Sequence, residues 1–360
     1  MYKYVHGGDI YDAGLNMRKE DILDFSANIN PMGLAPGVRA ALRDAISDSV
    51  NYPDPFCREL VRKLALHHGV EERSVYCGNG AADVLFRLAQ TIRPKRTLVY
   101  APTFADYEKA VTSVGSKVEY YDLREEDWFR PRPDLLQSIR KNLDLVILCN
   151  PNNPTGVLTP KELLLKVLEK CRKKEVFLVV DECFLDFVPD GEKFSLLDQL
   201  EEYDNLVILK AFTKTYAIPG VRLGYCLSGN HELLERLRDC GQDWNVSVFA
   251  QAAGIAALDE KEYLRKSVEF IDAEKVYMGN QLQTVDCVVY GGAADYVFFH
   301  SEREWAEPLR KRGILIRDCS NYRGLGPGYY RIAVKRRKDN RKLFMTMREI
   351  IKDAFITRFG

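Results

Sequence analysis

Short apolar runs alternate with amphipathic stretches over the first two thirds of the chain. Runs typical of buried strands lie near residues 97–101, 144–149, 176–181, 206–211 and 223–227. Helices are predicted around and between them, near 36–48, 56–68, 80–90, 104–114, 133–140, 160–173 and 194–202. Strands and helices that alternate in this way form βαβ units. The pattern therefore predicts an α/β fold with a mostly parallel central sheet covered on both faces.

The pattern changes beyond about residue 230. A long helix is predicted over 262–282, strand-like runs at 296–299, 314–317 and 329–334, and a closing helix from about 339. This is the pattern of a smaller α+β domain, and 360 residues also exceed the usual size of one domain. We expect an amino-terminal arm over 1–32 that joins the small domain, a large domain over 33–245 and a small domain over 246–360.

The amino-acid composition argues against several classes of protein. Lys+Arg and Asp+Glu balance at 52 each, which argues against a nucleic-acid or anionic-membrane partner. The nine cysteines form no C-x-x-C pair and the five histidines do not cluster with them, so no metal site is expected. The amino terminus has no apolar signal region and no run is long enough to span a membrane. We expect a cytoplasmic protein.

The chemistry is organised around Lys214. An apolar run over 206–209 delivers Thr213 and Lys214 to the carboxyl end of a predicted strand, where open α/β sheets bind their ligands. A lysine in an apolar site has a lowered pKa, and its amine can attack a carbonyl. An isolated lysine at a strand end is more often a surface residue, so the interpretation depends on its companions.

The companions follow other strands, and each has an ordinary alternative. Gly78-Asn79-Gly80 before a helix suits an anion, but such turns are common. Asn153 lies in a Pro-rich turn, which could also be a simple connection. Asp181 ends an apolar strand, where it would either pair with a pyridine-type N–H or cap a helix. Phe104 would either stack on a flat cofactor or pack in the core. Arg331 in a late strand could fork a carboxylate. Their successive placement at strand ends favours one site.

This set resembles the pyridoxal-phosphate enzymes of the aspartate-aminotransferase fold type (fold type I). The resemblance is carried by Asn153-Pro-Thr-Gly156, Asp181, Thr213-Lys214, Gly220-Val-Arg-Leu-Gly224 and Arg331. It implies pyridoxal 5′-phosphate linked covalently to Lys214, with Asp181 at its ring nitrogen. The resemblance further implies Asn153 at the ring 3′-oxygen, Phe104 on the ring, and Gly80, Ala81, Thr213 and Arg222 at the phosphate. Tyr52 would reach the phosphate of a partner subunit, which implies a homodimer.

Within that group the chain resembles the threonine-phosphate decarboxylases of cobalamin biosynthesis, which are similar to histidinol-phosphate aminotransferases. The pointers are His6-Gly-Gly8, Ser26-Ala-Asn-Ile-Asn-Pro31, residues 216–225, Ile316-Arg-Asp-Cys-Ser-Asn-Tyr322 and 329–334. The resemblance implies decarboxylation of O-phospho-L-threonine to aminopropanol phosphate. It places His6, Gly7, Asn28, Asn153, Arg317 and Arg331 at the phosphorylated amino-acid substrate.

Two other functions remain open. An aminotransferase acting on histidinol phosphate or an aromatic amino acid would share every cofactor residue, although Phe184 stands where many histidinol-phosphate enzymes carry Tyr. A ligand-sensing regulator that has borrowed the fold would carry a DNA-binding module, and the chain starts directly at the arm. One departure from the family is Ala211, where many relatives carry a Ser or Thr that contacts the cofactor phosphate.

Overall fold

Seven strands form the central sheet of the computed structural model, which describes residues 6–13 and 17–359. In chain order these strands are β2 (Val75–Gly78), β3 (Arg96–Ala101), β4 (Lys117–Asp122), β5 (Leu145–Cys149), β6 (Phe177–Asp181), β7 (Leu206–Ala211) and β8 (Gly224–Leu227). Their order across the sheet is β2-β8-β7-β6-β5-β3-β4. Neighbours from β7 to β4 run parallel, and β8 runs antiparallel to both β2 and β7. The predicted α/β fold with a mostly parallel sheet is confirmed.

The interior strands follow the apolar runs closely because both of their faces are covered. Every residue of β5 and β7 is buried, as a parallel sheet between two helical layers requires. The edge strand β4 was missed. Its sequence, Lys117-Val-Glu-Tyr-Tyr-Asp122, is charged at both ends and at most half-buried, so no apolar run marks it.

Helices cover the sheet and build the rest of the molecule. They are α1 (Ile10–Ala13), α2 (Pro36–Asp44), α3 (Arg58–His68), α4 (Ala81–Ile92), α5 (Asp106–Thr112), α6 (Leu135–Ser138), α7 (Lys161–Lys174), α8 (Phe212–Thr215), α9 (His231–Asp239), α10 (Val248–Ala257), α11 (Lys261–Gln283), α12 (Ala306–Arg310) and α13 (Arg337–Phe359).

The predicted helix over 194–202 is wrong. The segment contains only short 3₁₀ turns, Gly191–Phe194 and Leu197–Gln199. The Ser195 hydroxyl donates to the buried Glu182 carboxylate at 2.8 Å and accepts from the Leu197 amide at 3.1 Å. These side-chain contacts replace the backbone bonds that a continuous helix would need.

A second sheet follows the large one in the chain. Strands β9 (Val288–Gly291), β10 (Tyr296–His300), β12 (Arg317–Asp318) and β13 (Tyr329–Ala333) pair antiparallel in the order β12-β13-β10-β9. The predicted strand over 314–317 is divided between two sheets. Its first half, β11 (Ile314–Leu315), pairs parallel with β1 (Leu23–Asp24) of the amino-terminal segment.

Strand register brings the polar ends of the large sheet to one level. Cys149 of β5 lies beside Asp181 of β6, and Asp181 lies beside Leu209 of β7. The segments that follow β3, β5 and β7 therefore emerge at the same edge. This is the edge at which open α/β sheets bind ligands.

Residues 6–13 and 17–359 contain neither a candidate membrane-spanning helix nor a candidate metal site. No helix in these ranges has both the length and the apolar character of a membrane span. No three His, Cys, Asp or Glu side chains in them are grouped so that they could hold a metal ion. All nine cysteines lie in these ranges as free thiols, and all but Cys240 are buried.

Candidate active site

A cavity of about 290 Å³ lies at the carboxyl edge of the large sheet. Strand ends of that sheet, the amino-terminal segment and the second sheet all contribute to its wall. The predicted cofactor residues on this wall are Ala81, Phe104, Asn153, Asp181, Thr213, Lys214 and Arg222, and the predicted substrate residues on it are His6, Gly7, Asn28, Asn153, Arg317 and Arg331. Gly80 is not on the wall but lies against the guanidinium of Arg222. Tyr52 is also not on the wall and stacks on Trp244.

Lys214 reaches the cavity from α8, the single helical turn that follows β7. Removal of its ammonium from bulk water lowers the pKa of Lys214, and the nearby carboxylate of Asp295 opposes that effect. A lowered pKa increases the fraction of neutral amine, which is the form that attacks carbonyl carbon. The position supports the chemistry expected of this lysine.

Asp181 ends β6 with one hydrogen bond to each carboxylate oxygen. The Tyr107 hydroxyl donates to Oδ2 at 2.6 Å, and the Cys183 amide donates to Oδ1 at 2.9 Å. Burial raises the pKa of Asp181, while the donors at Cys183 and Tyr107 lower it. The carboxylate of Asp181 is thus held in one orientation at a buried position in the cavity wall.

Tyr107 was not singled out in the sequence. It lies one helical turn after Phe104, whose ring it meets edge-on at 5.7 Å between centroids. The signal was present as a second aromatic residue three positions after the first, at the start of α5. An aromatic residue in a helix is usually core, and only the contact with Asp181 distinguishes this one.

The loop before α4 lies against a guanidinium. Gly80 has a φ of +85°, and a Cβ at that position would lie 2.6 Å from Arg222 Nη2. A Cβ on Gly224 would similarly lie 2.2 Å from the amide nitrogen of Ala81. Glycine at position 80 therefore lets Arg222 lie against the start of α4, and glycine at position 224 lets β8 do the same. Unbonded amides at a helix start beside a cation suit a phosphate.

Ala211 lies on the cavity wall next to this anion site. It is the last residue of β7, and its methyl group offers no hydroxyl. Thr213, whose side chain carries a hydroxyl, also lines the cavity. A missing phosphate contact at Ala211 stays a prediction.

Arg331 joins the amino-terminal segment to the large sheet. From β13, its Nη1 donates to Asn153 Oδ1 and its Nη2 donates to the Ser26 carbonyl at 2.6 Å. Its Nε is buried and has no hydrogen-bond partner among the described residues. Each terminal nitrogen uses one of its two N–H groups in these bonds, and the Nε–H uses none among the described residues, so a carboxylate would bind on the Nε edge of the guanidinium.

Arg317 lies opposite Arg331 in the β12–β13 pair. Its Nη2 donates to Asn321 Oδ1 at 2.8 Å, and its guanidinium lies 5.0 Å from the ring centroid of Tyr322. Asn28 lies on the same cavity wall, buried, with an Oδ1 that accepts no hydrogen bond within the described ranges. Buried polar atoms without partners are rare, so these positions suit a polar ligand.

The amino-terminal segment lies across the cavity. The His6 Nε2 is 3.1 Å from Asp106 Oδ1, and the His6 ring lies 5.4 Å from that of Phe104. A Cβ on Gly7 would lie 2.1 Å from the Ser26 carbonyl oxygen, which explains glycine there. Asp106 was not predicted as a site residue, because an acid at a helix start is ordinary.

Tyr52 does not reach this cavity within one chain. It is 78% exposed and stacks on Trp244 at 4.6 Å between centroids. Its expected role in a partner subunit stays a prediction.

The cavity fits pyridoxal phosphate by the chemistry of its walls. The oriented carboxylate suits the ring nitrogen of that cofactor, and the aromatic ring suits the ring face. The amine of lowered pKa suits the aldehyde, and the cationic site at the start of α4 suits the phosphate. Two further arginines, Arg317 and Arg331, also line the cavity and would suit a second, anionic ligand.

Comparison with known proteins gives a consistent result. The family model for class I and II aminotransferases matches residues 20–345. Threonine-phosphate decarboxylase from Salmonella typhimurium is 33% identical over 357 residues, covering 98% of each chain. A putative threonine-phosphate decarboxylase from Caldanaerobacter subterraneus is 34% identical over 98% of this chain and 96% of its own. The solved histidinol-phosphate aminotransferase of Clostridium acetobutylicum is 28% identical, with a TM-score of 0.86 over 92% of this chain and 100% of its own.

Proposed function

The chain belongs to the family of class I and II aminotransferases, which depend on pyridoxal phosphate, and from that premise we propose that it decarboxylates O-phospho-L-threonine. The product would be aminopropanol phosphate, which serves cobalamin biosynthesis. Support comes from relatives at 33% and 34% identity whose names state this activity. Independent support comes from the distribution of positive charge in the cavity.

The paired arginines of the second sheet are the observation that carries the proposal. Arg317 and Arg331 are directly opposite in the register of β12 and β13, and both reach the cavity. Residues opposite each other in an antiparallel pair project to the same face. Arg222 with the start of α4 already suits the cofactor phosphate, so these two cations remain for the substrate. Phosphothreonine carries two anionic groups, a phosphate and a carboxylate.

We assign the phosphate to Arg317 and the carboxylate to Arg331. The guanidinium of Arg331 is fixed by Asn153 and by the Ser26 carbonyl, so a carboxylate on its Nε edge would be held in one orientation. Arg317 is held by Asn321 and by Tyr322. His6 and Asn28 would complete the enclosure from the amino-terminal segment.

When bound, pyridoxal phosphate withdraws electrons from the substrate Cα. Asp181 supports that by offering a negative charge to the ring nitrogen. Arg331 decides which substrate bond lies where it can break, because it fixes the carboxylate. Lys214, whose pKa is lowered by burial, would bind the cofactor aldehyde through its amine and later carry a proton to Cα. The enclosing arm would exclude water from that proton transfer.

An aminotransferase is the second candidate. It would share the cofactor residues, and the solved relative with a TM-score of 0.86 carries that activity in its name. Arg317 and Arg331 would then bind an anionic amino donor or histidinol phosphate in turn. Histidinol phosphate has no carboxylate, however, and would leave one of the two cations without a partner. The wall residue Phe184 also brings no hydroxyl to the cofactor.

We also propose a homodimer. Besides Tyr52 and Trp244, the surface around residues 46–56 exposes Val50 at 86% and Phe56 at 56%. Large exposed apolar side chains in one region favour an interface. Sedimentation of the holoenzyme should give the mass of two chains, and Tyr52→Asp should raise the fraction of monomer.

A substrate panel tests the proposed reaction. The holoenzyme should turn over O-phospho-L-threonine with a higher kcat/KM than O-phospho-L-serine, because one methyl group adds about 1 kcal/mol or somewhat more in a pocket. Histidinol phosphate with 2-oxoglutarate should give no product. Turnover of histidinol phosphate, with none of phosphothreonine, would replace the proposal by the aminotransferase.

A further inference from the structure

A buried phenol touches the acid at the end of β6. Tyr107 is 1% exposed, and its hydroxyl lies 2.6 Å from Asp181 Oδ2. The other carboxylate oxygen, Oδ1, accepts from the Cys183 amide at 2.9 Å. The Tyr107 hydroxyl therefore donates a short hydrogen bond to this carboxylate, and the Cys183 side chain is a further hydrogen-bond partner.

The groups around the carboxylate leave few other ways to stabilise its charge. Tyr107 from α5, Cys149 from β5, Cys183 after β6 and Lys214 from α8 are the titratable groups that act on it. Burial raises the pKa of both thiols, so they remain neutral. Burial and the charge of Asp181 raise the pKa of Tyr107 well above its ordinary value, so the phenol keeps its proton and donates.

The geometry therefore assigns Tyr107 a role. We propose that Tyr107 is a positioning residue for the reaction, whose hydroxyl keeps the Asp181 carboxylate ionised and correctly oriented as the counter-charge to the cofactor ring nitrogen. This inference rests on the cofactor-binding part of the proposed function and is independent of the substrate.

The first turn of α5 connects this acid to the amino-terminal segment. Phe104, just before the helix, forms part of the cavity wall, Asp106 contacts His6 at 3.1 Å, and Tyr107 holds Asp181. Four consecutive residues thus fix the cavity wall, the arm and the acid. A rigid helix start is a better support for such contacts than a loop.

Tyr107→Phe removes only the hydroxyl and keeps the packed ring. In the absence of the donor, Asp181 should take up a proton at higher pH than in the wild type. Infrared spectra of the full chain should show the carboxylic-acid band of Asp181 at higher pH, assigned by its loss in Asp181→Asn. The affinity for pyridoxal phosphate near neutral pH should fall by about tenfold or more, because a hydrogen bond to a buried charge is lost.

Tyr100→Phe is the matched control. Tyr100 is equally buried at 1%, but its hydroxyl meets Thr159 Oγ1 at 3.3 Å instead of an acid. This variant should leave the Asp181 band and the cofactor affinity unchanged. If Tyr107→Phe behaves like Tyr100→Phe and the wild type in both measurements, the proposal is wrong.

A second pair of variants tests the proposal if Tyr107→Phe does not fold. Tyr107→His restores a donor and Tyr107→Leu does not, so only the histidine variant should bind cofactor nearly as the wild type does. Equal affinities in this pair would contradict the proposal. A protein with the expected cofactor behaviour but no activity on phosphothreonine would contradict the proposed function and leave this inference in place.

Discussion

The side chain of Arg331 interacts with three different groups. Its guanidinium lies over the Tyr296 ring, 5.4 Å from the centroid, and donates to Asn153 and to the Ser26 carbonyl. Its buried Nε has no hydrogen-bond partner among the described residues. A residue chosen only to hold the two regions together would not leave Nε unsatisfied. Because buried donors usually have partners, a nitrogen without one among the described residues supports our proposal that a ligand binds here.

Replacement of Arg331 should damage substrate binding. Arg331→Ala removes a charge-assisted contact worth about 1.5–3 kcal/mol, so kcat/KM for phosphothreonine should fall by about tenfold to a hundredfold or more. Steady-state kinetics give the number, and the absorbance of the bound cofactor reports whether the site is intact. Arg303→Ala, on the exposed surface, is the control. Unchanged kinetics in Arg331→Ala would refute the carboxylate assignment.

Residue types at strand ends predicted several of the polar residues on the cavity wall, and the family resemblance supplied others. Lys214, Asp181 and Asn153 each follow an apolar run, and parallel strands bring such positions together. Tyr107 and Asp106 were missed because a tyrosine and an acid in the first turn of a helix are ordinary there. Their importance depends on distances to Asp181 and His6, which no single stretch of sequence contains.

At the scale of elements, the start of α4 is the part of the chain that we propose holds the cofactor phosphate. Gly80→Ala would place a Cβ 2.6 Å from Arg222 Nη2, at a φ of +85° that alanine rarely adopts. The variant should bind pyridoxal phosphate more weakly by about 1–3 kcal/mol, measured by fluorescence titration.

Gly279→Ala in α11 is the matched control. Its Cβ would meet nothing within 4 Å. It should leave cofactor affinity unchanged and raise the free energy of unfolding by about 0.5–1 kcal/mol, because alanine favours a helix interior. Equal cofactor affinities for the two variants would show that the loop before α4 does not hold the phosphate.

Elements with a continuous apolar run were predictable, and elements defined by side-chain contacts were not. Strand β7 was placed at residues 206–211 from sequence and is observed there because both its faces are buried. The helix expected over 194–202 failed because Ser195 bonds to Glu182, a residue 13 positions away. The run 314–317 was divided because Leu23 and Arg331 each pair with one half of it.

At the scale of the whole molecule, one buried charge links the site to stability. Asp295 is 0% exposed, and neither of its carboxylate oxygens accepts a hydrogen bond from the described residues. Burial raises the pKa of Asp295 to about 6, against the opposing pull of Lys214, Lys335 and Arg331. The ionised acid is therefore tolerated only because several cations surround it.

The folded pKa of Asp295 lies above that of an unfolded carboxyl, near 3.9, so its contribution is present at low pH and is lost as pH rises through about 6. Asp295→Asn avoids that loss. Relative to the wild type, the variant should gain on the order of 2–3 kcal/mol between about pH 4 and pH 7. Thermal unfolding across this range measures it, with exposed Asp48→Asn as control. Parallel pH profiles for wild type and Asp295→Asn would contradict the account.

Decarboxylation of phosphothreonine is the central claim, and the fate of the carboxyl carbon tests it most directly. The holoenzyme is incubated with O-phospho-L-threonine labelled with carbon-13 at the carboxylate, with no keto acid present. Labelled carbon dioxide and aminopropanol phosphate, in equal amounts and over many turnovers, are the predicted result. Retention of the label in the organic product, or turnover that begins only when 2-oxoglutarate is added, would contradict the claim and identify an aminotransferase.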